Sequence, residues 1–286
     1  MLILGFLIVI GATLGGFIIA GGNPILLLHV SEFVVIGGIA AGILIIATPG
    51  NVLKNLIAQC TAAFKGGHVG KHDFQDLLKL LYELFMMGRR NGIIVLESHI
   101  VEPQTSAVFA KYPTVLKEKG RVQFVCSAFR PLIDGKIKPD QLGPLLEAEL
   151  ETKITESDHP VHILQLIGDS LPGVGIVAAV LGIINTMASI SEGPEKVGEK
   201  VAAALTGTFL GVFAAYGFVN PLAHRIKHSN SCEHMYYMCI LQAVSAYARG
   251  MAPLMAVEVA RRALESDVQP ESAEMEAMLK AISPTG

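Results

Sequence analysis

The sequence predicts an all-α, polytopic membrane protein with four transmembrane helices and a helical domain outside the bilayer. Three observations carry this. Of the 286 residues, 51% are hydrophobic and only 16% charged, whereas a soluble domain carries about a quarter charged residues. Four apolar stretches near the length of a membrane helix contain no Asp, Glu, Lys or Arg. Between the second and third, charge returns and apolar residues take amphipathic helical spacing, and a polar tail follows the fourth.

Crossing about 30 Å of hydrocarbon takes about 20 helical residues at 1.5 Å each. Leu2 to Ala20 meets this without a charge. It lacks the basic start and small-residue cleavage site of a signal peptide, so it reads as a retained helix. Gly21, Gly22, Asn23 and Pro24 break it. The second span runs from about Phe33 to Thr48, with Ile25–Leu28 as an apolar extension upstream, and Pro49-Gly50-Asn51 ends it. The third is Leu171 to Ile190. A loop, Ser191 to Lys200, carries Glu192, Glu195 and Glu199 before the fourth span, Val201 to Ala223. The chain thus divides into a transmembrane hairpin (1–50), a cytoplasmic helical domain (51–164), a second hairpin (165–223) and a cytoplasmic C-terminal segment (224–286).

Orientation follows from basic residues near the span ends. The first outer loop has none, whereas Lys54 and Lys65 follow span two and Arg225 and Lys227 follow span four. Lys196 and Lys200 point weakly the other way. Both termini and the middle segment are therefore expected in the cytoplasm. No tryptophan is present, so one of the usual interface anchors is missing.

Several functions are excluded by composition and spacing. A net charge of −3 gives no sign of nucleic-acid binding. Cys60, Cys126, Cys232 and Cys239 are scattered without a CxxC pair, and His68/His72 and His159/His162 lack a convincing third ligand, so no metal or cofactor is expected. An intramembrane enzyme would need reactive groups at membrane depth. Asp169 is the sole candidate near a span, has no carboxylate or histidine partner there, and reads with Ser170 as a cap at the inner end of span three. Because no charged residue lies inside the expected spans, the chain alone makes no ion pathway of the usual kind and needs a carboxylate from a partner.

Several residues could carry a mechanism. Ala178, Gly182 and Thr186 recur at spacing four in span three, as do Ala203, Gly207, Gly211 and Ala215 in span four. Such stripes let helix backbones touch, either within the monomer or in an oligomeric, channel-lining layer that faces partner helices. Pro172 and Pro221 lie near the inner ends of these spans, each removing a backbone donor and loosening its helix. Thr208 lies about 10 Å below the outer end of span four, within about a turn in depth of Thr186. The two hydroxyls either bond their own helix backbone or offer oxygen ligands to an ion. Phe74 to about Ile100 reads as one amphipathic helix, on which Arg89 and Glu97 share a face if it continues through Gly92.

The segments Gly168-Asp-Ser-Leu-Pro172-Gly-Val-Gly and Gly207-Thr-Phe-Leu-Gly211, the latter continued by Ala215-Tyr-Gly-Phe-Val-Asn-Pro221-Leu, resemble the third- and fourth-span signatures of the MotA family of flagellar stator subunits. Gly21-Gly22, Ser31-Glu32, Ala256-Val-Glu258 and Arg261-Arg262 match as well, so the resemblance covers nearly the whole chain. TolQ and ExbB, of the wider family, have one span before their large cytoplasmic loop; the N-terminal hairpin here favours the flagellar branch.

The resemblance implies a non-enzymatic subunit of the bacterial inner membrane. Five copies would surround two copies of MotB, whose transmembrane aspartate carries the ion, and torque would pass to the rotor protein FliG. It makes Pro172 and Pro221 the residues that couple ion passage to conformational change, and Arg89, Arg90 and Glu97 the rotor-contacting charges. It implies proton drive. Thr186 stands where many proton-driven members have alanine and sodium-driven ones favour threonine, so sodium drive is the alternative, with a TolQ/ExbB-like energiser as the other.

Overall fold

The structure, a computed structural model, describes all residues except 67–68, 188–190, 192 and 283–286. His68, Glu192 and Ile190, the expected end of span three, lie outside the described residues. Every regular element among the described residues is helical: α1 (Leu2–Ile19), α2 (Val30–Ala47), α3 (Gly50–Lys65), α4 (Lys71–Asn91), α5 (Glu97–Val101), α6 (Pro113–Leu116), α7 (Lys119–Ile133), α8 (Pro139–Met187), α9 (Pro194–Ala214), α10 (Asn220–Ala248), α11 (Pro253–Arg262) and α12 (Ser272–Lys280). A π-helical turn, Ala215–Val219, joins α9 to α10.

Four helical stretches are long and apolar enough to cross a membrane: Leu2–Ile19, Pro24–Ala47, Pro139–Met187 and Pro194–Ala248. The last two run far past the expected spans. Charge returns beyond the apolar parts, but a change of polarity does not stop a helix; only a break in the backbone ladder does. Such breaks delimit the shorter elements. Gly21 takes φ +81 after α1, and the Asn23 side chain accepts a 3.0 Å bond from the Ile25 amide to open the short turn Pro24–Leu27. Thr48, extended ahead of Pro49, closes α2. Gly66, left-handed at φ +75, closes α3.

The chain forms two compact units, residues 1–67 with 156–229 and residues 68–155 with 230–286, and α8 and α10 contribute residues to both. In the first unit α1 buries no residue and α2 buries Glu32 and Ile36 alone. Ile3, Leu4, Leu7, Ile8, Ile45 and Ile46 are exposed, a surface that suits lipid or other membrane helices and not water. Its interior is thin: Ile36, Leu171, Val174, Ala178 and Ala215 form one cluster, and Leu56, Val161, Leu164, Ala223 and Ile226 another.

The second unit has a conventional core. Phe74, Leu77, Leu78, Leu80, Leu81, Leu84 and Phe85 of α4 are fully buried, and Phe85 stacks on Tyr247 with ring centroids 4.4 Å apart. The expected single helix from Phe74 to Ile100 is not formed. Asn91 ends α4, and Gly92, at φ +88 and ψ 152, turns the chain into a short 3₁₀ turn, Ile93–Leu96, ahead of α5. Arg89 and Glu97 therefore sit on different elements. The break follows from Gly92 adopting a conformation closed to other residues just before the β-branched run Ile93-Ile94-Val95.

Ionic ties help to anchor this unit. Arg121, nearly buried, bonds Asp73 at 3.0 Å and Glu233 at 2.8 Å, with its guanidinium carbon 4.7 Å from the Tyr236 ring centre. Replacing Arg121 by alanine leaves two carboxylates unmatched and is expected to cost about 3–5 kcal/mol of stability. Thermal denaturation of the purified chain checks this; an unchanged midpoint would contradict it. In α11, Glu258 pairs with Arg261 and Arg262, each at 2.7 Å, and Arg261 also donates to the Pro270 carbonyl at 2.9 Å. The Arg261 hydrogen bond, opposed by burial and helped by Arg262, holds the Glu258 carboxyl down to about 2. The tail motif that matched the MotA family is thus a structural clasp.

Candidate functional site

The small residues of α8 and α9 meet one another inside the chain. A Cβ placed on Gly211 would lie 2.5 Å from the Leu171 carbonyl oxygen and 2.8 Å from the Gly175 Cα. One on Gly175 would lie 2.8 Å from the Gly207 carbonyl oxygen, and one on Gly182 2.9 Å from the Ala204 Cβ. Ala178 packs 3.2 Å from the corresponding point on Gly207. Of the two readings of the stripes, the geometry therefore realises packing within the monomer: Ala178, Gly182, Gly207 and Gly211 bring two backbones together and are not left free for a partner helix.

That seam fixes relative depth and corrects a second expectation. Thr208 lies at the level of Gly175, with its Cα 3.3 Å from the Gly175 Cβ position. Thr186 is eleven residues further along α8, about 16 Å at 1.5 Å per residue. The two hydroxyls do not share a depth in this chain. Thr186 is fully buried and donates to the Gly182 carbonyl at 2.8 Å, the bonding of a helix threonine to its own backbone. Thr208 is half-buried.

Toward the inner ends, the seam becomes polar. Asn220 donates through Nδ2 to Asp169 at 3.4 Å, and Gly168 is flat against Asn220: any Cβ there would run into its side chain. The Asn220 Oδ1 is buried without a hydrogen-bond partner among the described residues. Asp169 is thus partnered by an amide across the seam. The π turn ends here, with the Asn220 amide donating to the Ala215 carbonyl, and Pro221 follows with no N–H to offer. A widened turn and a proline in sequence interrupt the helical ladder at one place. Pro172 lies in α8 one residue from Leu171, whose carbonyl faces Gly211, about one turn outward from the Asn220 level.

Glu32, named in the sequence only as part of the Ser31-Glu32 match, was not anticipated as a site residue. The expected second span began one residue after it, but α2 starts at Val30, which places Glu32 within a spanning helix, and it is 5% exposed. The signal was available in Ser31-Glu32 directly adjoining an apolar run, with His29 before it as the helix boundary.

In the second unit, Arg89, Arg90 and Glu97 are exposed and have no ion-pair partner among the described residues. Burial pushes the Tyr247 hydroxyl up while the Arg89 charge pulls it back. Ile94, Val95 and Val101 are exposed around Glu97. Unpaired charges beside exposed apolar residues suit contact with another protein. Gly88 admits this arrangement, since a Cβ there would meet the Tyr247 hydroxyl at 2.7 Å.

These elements define a multi-pass, all-helical membrane protein with a helical extramembrane unit. The motility protein A N-terminal family matches residues 3–92, and the MotA/TolQ/ExbB proton channel family matches residues 117–238. Motility protein A of Salmonella typhimurium is 34% identical over 99% of this chain and 96% of its own length. Chemotaxis protein LafT of Vibrio parahaemolyticus is 34% identical over 96% of this chain and 97% of its own. The fold matches that in the structure of C. jejuni MotAB, with TM-score 0.78 and 23% identity over 93% of this chain and 96% of that one. It also matches the flagellar MotAB stator complex from Bacillus subtilis, with TM-score 0.75 and 20% identity over 95% and 99%. The chain belongs to the MotA/TolQ/ExbB proton channel family, in its MotA branch, the stator subunits of the flagellar motor.

Proposed function

We propose that this chain assembles as several copies, five by the family resemblance, around MotB, forms the stator's ion channel in the inner membrane with both termini in the cytoplasm, and turns ion flow into torque on FliG. The observation that carries the partner requirement is the seam itself. Its helices meet through glycine and alanine, and the resemblance supplies the main carrier of the ion from another chain, the MotB aspartate. Residues 1–50 and 165–223 are the membrane hairpins, and 51–164 with 224–286 form the cytoplasmic part that meets the rotor through Arg89, Arg90 and Glu97. Pro172, Pro221 and the π turn let the inner ends of spans three and four yield as the partner helix changes state. A ligand shifts such a two-state element only by its preference for one state.

The driving ion is the proton. The match to the MotA/TolQ/ExbB proton channel family supports this reading. Swimming of a strain whose stators contain only this chain and its MotB should persist without sodium and collapse on adding a protonophore. A strict sodium requirement would reverse the assignment.

A further inference from the structure

We propose that Glu32 binds the transported cation within the outer half of the membrane unit, a station in the ion's path that this chain supplies itself; this rests on the stator reading above. Glu32 lies in the first turn of α2, where the helix N-terminus favours a carboxylate. Its Oε1 accepts one long bond, 3.4 Å, from the Ser31 hydroxyl. Among the described residues its Oε2 is buried with no hydrogen-bond donor and no basic side chain paired with it.

The surroundings of Oε2 are built to leave it room. It sits over Gly207 of α9, 2.7 Å from where a Cβ would be, and the same point lies 3.2 Å from the Ala178 Cβ and 3.2 Å from the Ala179 nitrogen of α8. Three helices therefore converge on one carboxylate oxygen, and the residue facing it is the one that has no side chain. A second buried polar atom without a partner among the described residues, Nε2 of His29, belongs to the residue that opens the same helix. On α9, Thr206 and Thr208 flank Gly207. The Thr206 hydroxyl is occupied by the Ala202 carbonyl at 3.0 Å.

Acids inside spanning helices are kept where they pair or where they carry an ion. Among the described residues nothing pairs with Glu32, and a bound cation would supply the missing counter-charge. In the proton case an O–H bond forms on Oε2 as the proton enters from the outer water and breaks as it passes inward to the partner's carboxylate. No other reactant is needed.

The test uses the whole complex of this chain with MotB. Dicyclohexylcarbodiimide, an apolar reagent that modifies protonated carboxyl groups in hydrocarbon surroundings, should add to Glu32, located by mass spectrometry of this chain. Glu32→Gln should lower ion influx through the unplugged complex and swimming speed severalfold with MotB still co-purifying, and Glu32→Asp should restore part of both. Absence of the adduct, or influx through Glu32→Gln equal to wild type, overturns the proposal. Where Glu32→Gln fails to assemble, the labelling of the wild-type complex decides. If wild-type influx proves to be sodium, the proton reading alone fails; added sodium should then slow labelling of Glu32, and unchanged labelling overturns the site.

Discussion

Replacing Gly211 by leucine is expected to abolish both recovery of the complex with MotB and swimming. The first added carbon would already lie 2.5 Å from the Leu171 carbonyl oxygen and 2.8 Å from the Gly175 Cα. Both are backbone atoms, so no side chain can rotate away. Overpacking a core typically costs about 1–3 kcal/mol through small shifts, but a whole leucine here requires α8 and α9 to separate along their seam. Within lipid, little hydrophobic force would hold them together afterwards, because van der Waals contact is what joins such helices. Gly5→Leu serves as the control, since a Cβ at Gly5 meets nothing within 4 Å. It should assemble and swim. A Gly211→Leu chain that co-purifies with MotB and supports swimming would falsify the packing described here.

The four apolar stretches were legible from the sequence because lipid demands long uncharged helices, and Gly211 and Gly207 were legible as packing positions because spacing four marks one helix face. What they pack against was not, since the same stripe serves a neighbour in the chain or in another subunit. The ends of the helices were legible only where a residue forces them. Gly66 and Pro49 stop α3 and α2, but the return of charge beyond the third and fourth spans stops neither helix, and α8 continues even through Pro160. Gly92 was misjudged in the other direction: glycine is tolerated in helices, and its φ of +88 depends on the chain that follows. Glu32 was hidden by a boundary error of a few residues, the commonest error in placing a span from hydropathy alone. The Arg121 tie was invisible because Asp73, Arg121 and Glu233 are far apart in sequence.

Reversing Arg89 to glutamate is expected to stop swimming while leaving ion flow intact. An elementary charge crossing about 150 mV releases about 3.5 kcal/mol, scaled from the value per 100 mV. That energy reaches the rotor only through a surface that grips it. Arg89 and Arg90 end α4 and Glu97 begins α5; all three are exposed and without ion-pair partners among the described residues. Lying on different elements, they present a short array of both signs across the Gly92 turn and not a single helix face. Because Arg89 carries none of the unit's core packing, Arg89→Glu should leave folding and complex recovery unchanged. A matching reversal of an acidic residue on FliG should restore swimming in part.

The central claim is that one chain holds ion conduction in its membrane unit and rotor contact in the other. Proton influx through the unplugged complex, measured side by side for wild type and Arg89→Glu at equal protein levels, tests it most directly. Equal influx with swimming lost in the variant is the result this account predicts. Influx abolished together with swimming would contradict it.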